Sequence, residues 1–152
     1  MTKVLLSLHV LAALVAIGPV TVAASMFPAA TRRAVAGTDH DIAILRTLHR
    51  LCRVYAAVGI AIPVFGFATA GSLGVTGDAW VVVSIVLTAA AAAVLVLLVL
   101  PRQQGVLDRI TDQAEADPRA PARLAAYTGI FNILWAVVTV LMIVRPGSTT
   151  GA

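Results

Sequence analysis

The sequence predicts an all-α integral membrane protein, a four-helix bundle with up-down-up-down topology. Three observations carry that prediction. Four apolar stretches, residues 4–27, 54–71, 79–100 and 124–144, each reach or approach the roughly 20 residues a helix needs to cross a hydrocarbon core about 30 Å thick. Hydrophobic residues make up 60% of the 152-residue chain and charged residues only 12%, about half the charged share of a soluble domain. Nine of the eleven basic residues fall in two of the three gaps: Arg32, Arg33, Arg46, Arg50 and Arg53, then Arg102, Arg109, Arg119 and Arg123. The gap 72–78 holds none, and the ends carry only Lys3 and Arg145. Arginine-rich loops stay in the cytoplasm, so both basic loops are expected there and both termini outside. Residues 1–145 read as one transmembrane domain, with no room for a separate soluble one.

The first span must be distinguished from a signal peptide. Lys3, an apolar run and the small residues Val22, Ala23 and Ala24 resemble a cleavable leader. The run is longer than the 7–15 residues of a leader's apolar region, and cleavage would put the loop 32–53 outside, against its charge. A retained helix is expected. Ala12, Ala13, Ala16 and Ala23 share a face with His9, while Leu8, Leu11, Val15 and Val22 turn elsewhere. Within lipid, such small residues mark where helices approach closely.

The next helix begins before its span. Thr38 with Asp41 three residues on has the spacing of a capping box, which predicts a helix from Asp39 through Arg46, His49, Arg50 and Arg53 into the second span. Arg46, Arg50 and Arg53 then share one face, placed to meet lipid headgroups. Gly59, Gly66 and Ala70 form a small-residue stripe, and Pro63 predicts a kink. The third span places Ser84 and Thr88 one turn apart, ahead of the alanines 89–93. In the loop after it, residues 104–116 read as a short surface helix ended by Asp117-Pro118. Thr128, Asn132, Trp135 and Thr139 recur at i, i+4, i+7 and i+11 in the fourth span. That polar stripe is expected to face protein, because unsatisfied polar groups in hydrocarbon are costly. The Gly, Ser and Thr tail 146–152 reads as disordered.

The chemistry is sparse. One cysteine, Cys52, leaves no intrachain disulfide. The metalloprotease, phosphate-loop, redox and nucleophile-elbow patterns are missing. No Asp, Glu, Lys or Arg lies at mid-depth in a span, which argues against ion-coupled transport. The net charge of +4 comes from arginines flanking helices on one side. That is the pattern of anchoring to anionic lipid, and no nucleic-acid partner is expected. Ten arginines against one lysine, with abundant alanine and valine, point to a high-GC bacterium and its inner or plasma membrane.

His9 carries the sharpest question. It lies about one and a half turns inside the outer boundary, on the alanine face, where a histidine can be protonated, hydrogen-bonded or ligated. As a packing residue it would bond a neighbouring helix, and Thr139 lies at similar depth if the first and fourth spans pack antiparallel. As a ligand it would hold haem b or copper. His9 and His49 sit at opposite boundaries, about 30 Å apart, and His40 is about 13 Å along a helix from His49. One chain therefore cannot offer two histidines to one iron. A single-histidine site, or two His9 copies meeting across a dimer, stays open.

The opening Leu5-Leu6-Ser7-Leu8-His9-Val10-Leu11-Ala12-Ala13, the four spans and the ending Met142-Ile143-Val144-Arg145-Pro146-Gly147 resemble a bacterial family of predicted integral membrane proteins of unknown function. That family is distantly similar to the copper-resistance protein D group and to HemJ-type protoporphyrinogen oxidases, which also open on a Leu/Ala-rich helix with an early histidine. The resemblance implies His9 as the one ligand candidate and a basic residue, here Arg145, before Pro-Gly. Where those groups continue Trp-Val-Gly, this chain reads Ala16-Ile17-Gly18-Pro19, and the lysine and arginine set of the oxidases is missing from the spans. The expected function is that of a small membrane protein without a catalytic site, accessory or structural, in a homo-oligomer or a larger membrane complex. The alternatives are a haem- or copper-binding redox module centred on His9, and a small-solute transporter using the kinked second span and the stripe around Asn132.

Overall fold

The computed structural model describes residues 2–35, 37–115 and 117–147. These form α1 (Thr2–Ala34), α2 (Asp39–Val58), α3 (Ala61–Leu73), α4 (Ala79–Ala93), a π-helical turn (Val94–Val99), α5 (Leu100–Thr111) and α6 (Ala120–Val144). Four helical units are long and apolar enough to cross a membrane: Thr2–Ala34, Asp39–Leu73, Ala79–Thr111 and Ala120–Val144. Most of the predicted tail, from Ser148 on, lies outside the described residues.

Three of these units exceed what a bilayer requires. At 33 to 35 residues and about 1.5 Å per residue they run about 50 Å, some 20 Å beyond a hydrocarbon core. The excess lies at the basic end, where α1 carries Arg32 and Arg33 in its last turn and α2 carries Arg46, Arg50 and Arg53. There α2 begins at Asp39, where the spacing of Thr38 and Asp41 places it. The Asp41 carboxylate accepts the Thr38 backbone N–H at 3.0 Å and its hydroxyl at 3.2 Å. Those bonds hold the Asp41 carboxyl below its usual range.

Proline shapes the second and third units differently. Pro63 has no N–H to offer the Gly59 carbonyl one turn earlier, and its ring crowds that oxygen. The chain responds by breaking at Gly59–Ile60: the Ile60 N–H reaches the Ala57 carbonyl and the Ile62 N–H reaches Gly59, both in tightened turns. The kink thus falls a turn before the proline. At Pro101 the opposite happens. The preceding residues widen into the π turn Val94–Val99 and the helix continues to Thr111. The separate surface helix expected over 104–116 is therefore an extension of the third span. It closes with Gln113 at φ 52° and the Ala114 N–H on the Arg109 carbonyl.

The first unit packs between the second and the fourth, and the third packs on the fourth. The second and third meet at the basic end, through α2 and α5. The small-residue face of α1 points inward, with Ala16, Ala23 and Ala24 buried, while Leu11, Leu14, Val15 and Val22 are exposed to the lipid. Among the described residues fifteen buried side chains form the main core, including Val20, Phe27, Leu45, Cys52, Ala91, Val99, Leu107, Leu124 and Phe131. A second cluster, Ala70, Trp80 and Val81, lies at the opposite end. Arg145 adds to that end, its guanidinium 5.8 Å from the centre of the Trp80 ring.

Candidate functional site

His9 is half-buried and its Nδ1 lies 2.9 Å from the carbonyl oxygen of Ile62. A carbonyl can only accept, so Nδ1 carries the proton. In the neutral ring, Nε2 then holds the free lone pair. The partner is the second span and not Thr139 of the fourth, and the reason is local. The break at Gly59–Ile60 brings the Ile62 carbonyl toward α1, and Gly66 one turn on leaves room for the ring. A Cβ at Gly66 would fall 3.0 Å from His9 Cε1 and 3.3 Å from Nδ1. Gly59 sits in the break itself, where a Cβ would come nearest the carbonyls of Ala56 and Tyr55. Among the described residues no three His, Cys, Asp or Glu side chains gather to hold a metal ion.

The polar stripe of α6 divides along its length. Thr128 is buried, and the Asn132 amide nitrogen donates to the Ser25 hydroxyl of α1 at 3.2 Å. Thr128 Oγ1, Asn132 Oδ1 and Trp135 Nε1 are buried atoms with no hydrogen-bond partner among the described residues. The Trp135 ring packs edge-on to Phe131, with centroids 6.3 Å apart. Thr139 is exposed and donates back to the Trp135 carbonyl at 2.9 Å, which satisfies its hydroxyl within its own helix. In α4 the buried Ser84 does the same with the Trp80 carbonyl at 2.7 Å.

A third polar group lies where the sequence reading saw only a boundary histidine and a lone thiol. His49 and Cys52, three residues apart and hence on one face of α2, are both buried against Gln103 of α5, itself fully buried. The Gln103 side-chain oxygen accepts from His49 Nδ1 at 3.0 Å, and its amide nitrogen points to Cys52 Sγ at 3.6 Å. The i, i+3 spacing of His49 and Cys52 was a visible signal. Gln103 gave none, because it stands between Pro101 and a charged segment. On the same helix Arg50 and Arg53 are exposed, and Arg46 reaches Thr111 of α5 at 3.4 Å.

Four long apolar helices, inward small residues and an arginine-laden end define a polytopic membrane helix bundle in contact with the lipid bilayer. A family model described as "Predicted integral membrane protein (DUF2269)" matches residues 3–146, and the chain belongs to that family. Similarity to the copper-resistance and HemJ-type groups is not shown by that match. No curated protein and no solved structure matches the chain.

Proposed function

We propose that the protein is a non-catalytic membrane subunit that acts by helix packing, as a homo-oligomer or within a larger membrane complex. One observation carries this reading: His9 spends its Nδ1–H on a carbonyl of the neighbouring span and lays its ring on Gly66. Asn132 likewise ties α6 to Ser25 of α1. Polar side chains used in this way hold a bundle together at modest gain, about 0.6 kcal/mol each on average. The distribution of arginines favours a bacterial inner or plasma membrane with both basic loops in the cytoplasm and both termini outside.

A haem- or copper-binding module at His9 is the second reading, and the fixed tautomer favours it. Histidine ligands commonly donate their second ring N–H to a carbonyl, which aims the other nitrogen at the metal. Here this chain would supply one ligand, Nε2 of His9, and a second would come from another copy. Oxidised and dithionite-reduced absorption spectra and the copper content of the detergent-purified protein, beside a His9→Ala variant, separate the readings. Packing predicts no visible band in either protein. A Soret band that disappears in His9→Ala overturns the packing reading in favour of a haem site.

Orientation has its own test. In intact cells, Ser72→Cys in a background without Cys52 should react with a membrane-impermeant maleimide. Labelling of that variant only after permeabilisation would reverse the topology.

A further inference from the structure

The basic end contains a cavity that the helix-packing reading does not use. It has a volume of about 520 Å³ and opens between the end of α1, one face of α5 and the start of α6. Arg32 of α1, Arg102 and Arg109 of α5, and Arg123 of α6 line it, with Asp117 as the one carboxylate. That carboxylate pairs with Arg123 at 3.8 Å. Among the described residues Arg32, Arg102 and Arg109 form no ion pair, so the cavity holds an excess of positive charge.

Three features make this a site rather than a scatter of surface arginines. First, Arg102 is held in place: its guanidinium stacks 4.3 Å from the centre of the Tyr127 ring and donates to the Leu98 carbonyl at 3.1 Å. That carbonyl lies in the π turn before Pro101. Second, Arg102, Gly105 and Arg109 follow at i, i+3 and i+7, one face of α5, which exists only because the third span continues past Pro101. A Cβ at Gly105 would meet nothing within 4 Å, so the glycine leaves the cavity floor open. Third, apart from Thr31 the remaining lining is apolar, including Val35, Val106, Ile110 and Leu124. Residues 100 and 124 are where the apolar stretches end, so the cavity sits at headgroup depth.

We infer that this cavity binds a phosphate-ester anion, with the guanidinium groups on the phosphate oxygens and the apolar wall against the attached carbon chain. Guanidinium groups match phosphate oxygens in paired hydrogen bonds, and basic pockets between spans are suited to anionic lipid headgroups. The volume falls in the range of small-molecule sites. An anionic phospholipid entering sideways and a soluble phosphate entering from the aqueous side offer the same chemistry, and the assay distinguishes them.

The test uses the full chain in nanodiscs of phosphatidylcholine. Added phosphatidylglycerol, or inorganic phosphate at matched ionic strength, is followed by native mass spectrometry and by the shift in thermal unfolding. The expected result is about one retained phosphatidylglycerol per chain, with affinity reduced tenfold or more in R32Q/R109Q and in G105L. G105L projects a bulky side chain into the cavity and leaves every charge in place. R33Q/R119Q, which removes equal charge from exposed positions outside the cavity lining, should stay within about twofold of the parent. Circular dichroism identifies any variant that does not fold, and R32K/R109K, which keeps the charge and loses the paired geometry, then takes the place of R32Q/R109Q. Saturable binding of phosphate alone, lost in G105L, would assign the site to a soluble anion. Binding unaffected by G105L, or weakened as much by R33Q/R119Q as by R32Q/R109Q, would overturn the proposal, as would no preference over phosphatidylcholine.

Discussion

Val99 and Val81 belong to the same long helix and both are buried, yet they sit in different kinds of core. Val99 is completely enclosed at the basic end, among Phe27, Leu45, Cys52, Leu124 and Phe131. Val81, at the opposite end, has Ala70 and Trp80 as its buried neighbours, with Val75 and Met142 at the edge. All four units contribute to the first core, whereas the second joins the end of α3 to the start of α4. In lipid the transfer of apolar area from water does not separate the packed from the unpacked state. What differs is van der Waals contact and interhelical hydrogen bonding. The basic end has both, and it also extends into water, where the hydrophobic effect acts again.

The largest expected effect follows directly. Phe27→Ala should open a cavity of about 100 Å³, which at about 24 cal/mol per Å³ costs about 2 kcal/mol even without the transfer contribution. Val81→Ala removes fewer atoms from a site open at its edges and should cost well under half of that. Reversible unfolding in mixed micelles, titrated with SDS, measures both. Equal losses at the two ends would erase the distinction between the cores.

The second effect concerns the polar centre of the larger core. Gln103→Leu keeps the volume and leaves the His49 Nδ1–H and the Cys52 thiol without their partner, a loss of about 1–3 kcal/mol. A lone substitution that strands a buried polar group is worse than replacing both partners, so His49→Leu added to Gln103→Leu should recover part of the stability. The destabilised core should open more often, so Cys52, buried in the parent, should react faster with a maleimide in the single variant. An unchanged rate and an unchanged midpoint would remove Gln103 from the core.

Those two ends were not equally legible in the sequence. The four spans, the inward alanines of α1 and the cap at Thr38 and Asp41 rest on period and spacing, which survive folding. The polar centre was missed because Pro101 reads as the end of a helix. A proline usually ends one by clashing with the carbonyl a turn before it. A π turn over Val94–Val99 relieves that clash, and no residue type in that stretch of Leu and Val announces it. The continuation is what carries Gln103 to His49 and Cys52. The partner of His9 was missed for a related reason. Depth along the spans pointed to Thr139, but the break caused by Pro63 presents a nearer acceptor, the Ile62 carbonyl.

The smallest expected effect tests that break at the thinly packed end. Glycine is worth about 1 kcal/mol less than alanine in a helix interior, so Gly66→Ala in α3 would ordinarily stabilise. Here the new Cβ would press to 3.0 Å from His9 Cε1, and the ring would have to lift, stretching its 2.9 Å bond to Ile62. The two contributions should nearly cancel in the parent protein. In a His9→Ala background nothing opposes the methyl group, and Gly66→Ala should be stabilising by about the full propensity difference. The double-mutant cycle should therefore show a coupling approaching 1 kcal/mol. Additivity within about 0.3–0.5 kcal/mol, the behaviour of independent sites, would mean that the imidazole does not rest on Gly66. The helix-packing account of His9 would then lose the contact it depends on.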